Sequence, residues 1–207
     1  MKAERITVAI TGASGAAYAI RLIDQLLIAG KEVYVLVSNP ARVVLSHELN
    51  LTLPASPEAA KTALLSHLNR QSARLSVFGR EQWMAPVASG SNAPDAMIVC
   101  PCSTGTLSAI AMGSCRSLLE RAADVMLKEQ RKLIIVPRET PFSTIHLENM
   151  LRLSRMGVTV LPASPAFYNN PSTINDLIDH VVGRILDHLG IANKLAARWG
   201  ETNEQAD

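Results

Sequence analysis

Five short apolar runs limit how this chain can fold: ITVAI (6–10), VYVLV (33–37), AMIVC (96–100), LIIVP (133–137) and VTVLP (158–162). They are rich in β-branched residues and nearly continuous rather than alternating, so each needs apolar cover on both faces. Parallel strands of an α/β sheet meet that need, because helices pack on either side of them. Most of the runs are separated by helix-length segments, which is the length a crossover between parallel strands requires. The pattern predicts helices over 15–29, 41–48, 57–68, 103–112, 117–128, 144–156 and 173–189, with Gly30, Gly157 and Gly190 as their C-terminal stops. The fold class is therefore α/β, a parallel sheet flanked by helices.

A length of 207 residues suits one domain with a substantial core and gives little reason to divide it, so residues 1–207 are read as a single domain, with an extended or flexible tail after about 199. Hydrophobic residues at 48% against 18% charged exclude a disordered chain. No apolar run approaches the ~18 residues of a membrane span. The formal net charge of +2 comes from scattered Lys and Arg, and aromatics are 4%, which speaks against a nucleic-acid face or a polybasic membrane patch and for a small-molecule partner. The apolar segment after residues 1–5 is cut by Thr11 and Gly12 and lacks a signal-cleavage pattern, so a cytoplasmic location is expected. Cys100 and Cys102 form a C-x-C at a strand end and Cys115 stands apart, which gives neither a disulfide framework nor a zinc set. All three are expected to be reduced, buried and structural.

In an open parallel sheet the ligand sits beyond the carboxyl ends of the strands. After the first run comes TGASG, after the second SN, after the third PCSTGT, after the fourth RET and after the fifth ASPAFY, so hydroxyls, glycines, an Arg-Glu pair and a Tyr gather on one rim. In the first turn Gly12 and Gly15 permit a tight bend, Ser14 can cap the helix, and free backbone N–H groups can face an anion. The spacing matches neither G-x-G-x-x-G nor a P-loop, and it also suits an ordinary βα turn. The second turn, Ser103-Thr104-Gly105-Thr106, offers hydroxyls and N–H groups to one phosphate. Two such turns side by side suit a phosphorylated ligand with a polar edge, which is the shape of FMN.

Arg138 and Glu139 fall at the carboxyl end of the fourth run, whereas Arg131 and Lys132 fall at its amino end and are expected to be solvated. A guanidinium grips phosphate bidentately, and a carboxylate beside phosphate is pushed toward holding a proton, which makes Glu139 an acid/base candidate. The stretch WMAPVASGSNAPD (83–95) is the least regular, and a loop of that length tends to be functional. The five histidines do not pair at metal-ligand spacing and no acidic cluster accompanies them, so no metal site is expected. Ser14 also lacks the G-x-S-x-G elbow of a hydrolase.

Together TGASGA, PCSTGTLSAIA, ERAADVMLKE, PRETPFSTIHLENM, PAFY and RILDHLGI resemble the UbiX/Pad family of flavin prenyltransferases, over about residues 6–199. The resemblance implies a three-layer, Rossmann-like flavoprotein fold and an enzyme that takes reduced FMN and dimethylallyl monophosphate, joins the prenyl group to flavin N5 and C6, and supplies the product to a UbiD-type decarboxylase, commonly for ubiquinone synthesis. It assigns FMN contacts to Gly12, Ala13, Ser14, Ser38, Ser103, Thr104, Gly105, Thr106 and Arg138. Prenyl-phosphate contacts fall to Tyr168 and Arg184, with Lys128, Arg121 and Glu139 nearby, in a homo-oligomer, a dodecamer in relatives, whose neighbouring chains complete each site. Fixed cationic and hydroxyl groups would stabilise the departing phosphate without a metal, and Trp83 would offer the allylic cation an electron-rich wall. Ser14, oriented by Glu48, would reach the flavin near N5, and Glu139 would move protons. Two departures stand out: Asn39-Pro40 after Ser38, and Gln130 in a segment that is more basic in relatives. A flavin-dependent cysteine decarboxylase, with His47 as its one placeable histidine, and a non-catalytic FMN carrier are the competing readings.

Overall fold

The computed structural model describes residues 3–196. Its centre is one six-stranded sheet built from β1 (Arg5–Ile10), β2 (Glu32–Val37), β3 (Leu75–Phe78), β4 (Ala96–Cys102), β5 (Lys132–Pro137) and β6 (Thr159–Val160). The order is β3-β2-β1-β4-β5-β6 and every pairing is parallel. This is the doubly wound order, in which the direction of progression reverses between β1 and β4.

Seven helices cover the two faces, and the alternation of side chains along each strand decides what each face packs against. Ile6, Val8 and Ile10 of β1 join a core with α1 (Ala16–Ile28), α2 (Asn39–Leu49), α3 (Pro57–His67) and α7 (Ile174–His188). Ala9, Leu36 and Val99 point the other way, into a core with α4 (Thr104–Ala111), α5 (Leu118–Lys128) and α6 (Thr144–Arg155). All seven predicted helices form, with ends shifted by a residue or two. In α1, Ala16, Ala19, Ile20, Ile23 and Leu26 are buried at helical spacing, and the chain leaves at Gly30, whose φ of +71° an L side chain disfavours.

Three expectations need correction. First, β3 is an edge strand of four residues with alternating burial, so it lacks the continuous apolar run that marks the others. Second, the fifth run forms only two residues of regular strand, although its pairing with β5 continues through Leu161 N–H to Ile135 O (2.9 Å) and Ala163 N–H to Pro137 O (3.1 Å). Third, Cys115 is exposed in the turn between α4 and α5, whereas Cys100 and Cys102 are buried in β4. Burial pushes the Cys102 thiol up to about 12, and burial together with Cys102 pushes Cys100 higher still. Arg131 and Lys132 are exposed, as expected. The irregular 83–95 segment contains two single 3-10 turns, Pro86–Ala88 and Gly90–Asn92, and is pinned by buried Ala85 and Val87 while Trp83 and Met84 stay exposed. Among the described residues no helix is long and apolar enough to cross a membrane. The expected tail after about 199 lies outside the described residues.

Thr7, in register with Tyr34 and Met97, has a buried hydroxyl without a hydrogen-bond partner. Removing an unpartnered buried hydroxyl at constant shape relieves its desolvation cost, so Thr7→Val is expected to raise stability by about 1 kcal/mol. A denaturant midpoint at or above the parent value, at unchanged slope, is the check.

Candidate active site

β1 and β4 end side by side at the point where the strand order reverses, and one side chain joins their exits. The buried Thr11 hydroxyl donates to Pro101 O (2.7 Å) and accepts from Ser103 N–H (2.7 Å). TGASG and PCSTGT are thus clamped together by a single residue. The sequence reading gave Thr11 no role, although a hydroxyl residue closing an otherwise apolar strand was the available signal.

In the first turn Gly15 is itself the cap position of α1, with φ +111°, and no side chain of its own turn caps the helix, so the expected Ser14 cap is not formed. The cap comes from Glu48, near the end of α2. Its carboxylate accepts from Gly15 N–H (3.0 Å) and Ala16 N–H (2.9 Å). Burial alone would raise the Glu48 pKa, but hydrogen bonds from the Ser14 hydroxyl and those two N–H groups, with the charge of Arg138, outweigh it and hold the carboxyl below its ordinary range. The anion that the first turn faces is therefore part of the protein. Arg138, at the end of β5, reaches the same turn and donates through Nε to Ser14 O (3.1 Å).

The second turn is capped by a neutral hydroxyl of its own. Ser103 caps α4, accepting from Thr106 N–H (3.3 Å) and donating to the Thr106 hydroxyl (3.1 Å). A Cβ built on Gly105 would meet nothing within 4 Å, so the first turn of α4 faces open space. Ser38 caps α2 by accepting from Ala41 N–H (3.2 Å), and Pro40 occupies the first turn of that helix, where a missing N–H is tolerated. The Asn39-Pro40 departure therefore leaves Ser38 in place. It also brings Pro40 against the first turn, where a Cβ on Gly12 would lie 2.4 Å from Pro40 Cβ.

These groups line a cleft of about 300 Å³. Gly12, Ser38, Ser103, Gly105 and Thr106 line it together with Phe78 of β3, Arg80 of the turn that follows, and Leu118 at the start of α5. Phe78 and Arg80 were missed because β3 was missed, and Leu118 because an apolar residue at a helix start gives no sign of a ligand. The apolar lining of Leu36, Phe78 and Leu118, in one cleft with a hydroxyl-bearing helix start, fits a flat ring system carrying a phosphate such as FMN. A larger groove of about 540 Å³ lies between α1, α3 and α7, but its Arg21, Asp24, Arg70 and Asp179 already pair with one another.

The residues assigned to the prenyl phosphate do not all come together in one chain. Tyr168 and Arg184 lie on the α7 side of the sheet, with the Tyr168 ring packed on His180 of α7 and Arg184 paired to Asp187 at 3.1 Å. Arg121 and Lys128 lie on α5, across the sheet. Arg121 Nε donates to Ala88 O (3.1 Å), and Lys128, in the last turn of α5 at the amino end of the sheet, pairs with Glu129 beside Gly90. Glu139 is at the rim, where its carboxylate accepts from Thr140 N–H (3.1 Å). Trp83 is 46% exposed. Ala13 is buried beneath the first turn and Thr104 opens α4.

Two consequences can be measured. Thr11→Val leaves the Pro101 carbonyl and the Ser103 N–H unpaired and should cost about 2–4 kcal/mol of stability, whereas Thr11→Ser should lose less than half of that; equal losses in chemical denaturation would discount the clamp. Because the folded Glu48 carboxyl titrates below its unfolded value, its contribution is complete above the ordinary carboxylate range and is lost as pH falls through the folded value. Glu48→Gln should therefore be less stable than the parent at neutral pH, by about 0.5 kcal/mol given the exposure of the site, and the two proteins should converge in acid.

Residues 1–186 match the family described as Flavoprotein. The flavin prenyltransferase UbiX of Pseudomonas aeruginosa is 53% identical over 204 residues, which is 99% of this chain and 98% of that protein. The crystal structure of AnUbiX (PadA1) in complex with FMN and dimethylallyl pyrophosphate matches with a TM-score of 0.84 at 39% identity, covering 95% of this chain and 97% of that one. A dodecameric FMN-dependent UbiX-like decarboxylase from Escherichia coli O157:H7 matches with a TM-score of 0.82 at 40% identity, covering 94% and 98%. With its clamped turns in place and its likeness running nearly end to end, this chain belongs to the flavoprotein family and, within it, to the UbiX flavin prenyltransferases.

Proposed function

We propose that this protein transfers a dimethylallyl group from dimethylallyl monophosphate to N5 and C6 of reduced FMN, and that the prenylated flavin serves a UbiD-type decarboxylase, in the setting of ubiquinone synthesis. The observation that carries the reading is the cleft at the clamped turns, with its apolar lining and the open first turn of α4. Reduced flavin supplies the electron-rich atoms to which the carbon chain is joined, and the remaining work falls to side chains. Ser38, Ser103, Thr104 and Thr106 hold the flavin phosphate and ribityl chain. Glu48 fixes the Ser14 hydroxyl at the flavin edge, near N5, while Arg138 locks that turn from β5.

Breaking the allylic C–O bond builds negative charge on phosphate, so donors must be in place before it develops. Tyr168, from the connection before α7, and Arg184, from α7 itself, supply two. Arg121 and Lys128 of the partner subunit supply the others, since the same residues of one protomer lie across the sheet. Trp83, also from a neighbour, gives the allylic cation an aromatic face. Glu139 carries protons between the phosphate and the closing ring. Assembly into a homo-oligomer, a dodecamer on the pattern of the E. coli relative, is supported by the exposed apolar side chains Ile145, Leu147 and Leu151 of α6 and Met156 just after it.

Anaerobic incubation with reduced FMN and dimethylallyl monophosphate, followed by mass spectrometry of the extracted flavin, should yield a prenylated product; recovery of unmodified FMN alone would sink the proposal. A parallel incubation with dimethylallyl pyrophosphate decides which donor is used. Glu139→Gln should bind FMN as the parent does and slow single-turnover prenylation about 100-fold.

A further inference from the structure

His180 has no task in the chemistry above, yet it neighbours both residues read as phosphate ligands on this side of the sheet. It precedes Arg184 by one helical turn, so both project from the same side of the helix. Its half-buried imidazole meets the Tyr168 ring edge-to-face, with centroids 5.8 Å apart and planes at 85°. Tyr168 comes from the irregular 161–173 connection, whereas α7 is anchored to the sheet through buried Val181, Val182, Ile185 and Leu186. The rigid element thus carries the imidazole, and the loop carries the phenol. Burial, reinforced by the charge of Arg184, lowers the His180 pKa, so an uncharged ring packs beside the guanidinium without opposing it.

We propose that His180 is a positioning residue that holds the Tyr168 phenol beside Arg184 and so sets the affinity for the allylic phosphate, an inference that rests on the reading of Tyr168 and Arg184 as phosphate ligands. An edge-to-face pair fixes both the direction and the height of the phenol, which a hydroxyl donor on a loop otherwise lacks. The residue acts through Tyr168, and its loss is felt in substrate binding rather than at the flavin.

The test measures single-turnover prenylation against dimethylallyl monophosphate concentration in FMN-loaded protein. His180→Ala should raise the half-saturating concentration roughly threefold to tenfold, with the limiting rate within about twofold of the parent and FMN affinity unchanged. His180→Phe, which keeps an aromatic edge, should restore parent behaviour. In a Tyr168→Phe background, His180→Ala should add nothing, because the hydroxyl it positions is gone. An unchanged half-saturating concentration for His180→Ala, failure of His180→Phe to rescue a folded protein, or a full additional loss in the Tyr168→Phe background would each overturn the assignment. Should the alanine variant not fold, His180→Gln carries the same expectation. If Tyr168→Phe and Arg184→Ala both leave the half-saturating concentration unchanged, the phosphate reading itself fails, and with it this inference; if they raise it and His180→Ala does not, only this inference fails.

Discussion

The site depends on one buried hydroxyl. Thr11 ends β1 and is satisfied twice by main-chain groups of the neighbouring exit, the Pro101 carbonyl and the Ser103 N–H. In a water-excluded position such bonds are costly to leave unmade, so the spacing of the two turns is fixed by the same term that stabilises the sheet around them. Ser103 owes its position to that clamp, and α4 begins at the next residue. The cleft is in this sense an extension of the core.

Two helix starts that look alike in sequence have opposite electrostatic fates. α1 receives a carboxylate from Glu48, which fills the positive end of its dipole from within. α4 is capped by a neutral hydroxyl and opens on empty space at Gly105. On the proposed reading an incoming phosphate would be repelled by the first and attracted by the second, which would orient the ligand in the cleft. Arg138 tempers this asymmetry, since its guanidinium reaches the main chain of the first turn and offsets the Glu48 charge there.

Much of the fold was legible because burial on both faces leaves continuous β-branched runs, and four of the five runs became the strands β1, β2, β4 and β5 at the sheet centre. β3 was invisible for the same reason: an edge strand buries alternate residues only, and LSVF carries no such run. Ser38 and Ser103 could be read as caps because the bond is local, whereas the cap on α1 comes from Glu48, far along the chain, and no local pattern reports it. The cysteines show the limit of composition, since Cys115 shares its residue type with Cys100 but sits in a turn outside both cores. The family motifs named the phosphate residues without saying which share a protomer. Only the placement of α5 and α7 on opposite faces separates Lys128 from Arg184.

The contact between Pro40 and Gly12 carries a consequence for how this sequence can drift. The start of α2 runs so close to the first turn that the Pro40 Cβ, an atom every residue but glycine carries, fills the room a side chain at position 12 would require. The constraint is therefore one of backbone path: a side chain at position 12 can be accepted only if the start of α2 moves away from the first turn. Short of glycine, no exchange at position 40 frees that space, so the first loop tolerates new side chains only where the neighbouring helix is displaced.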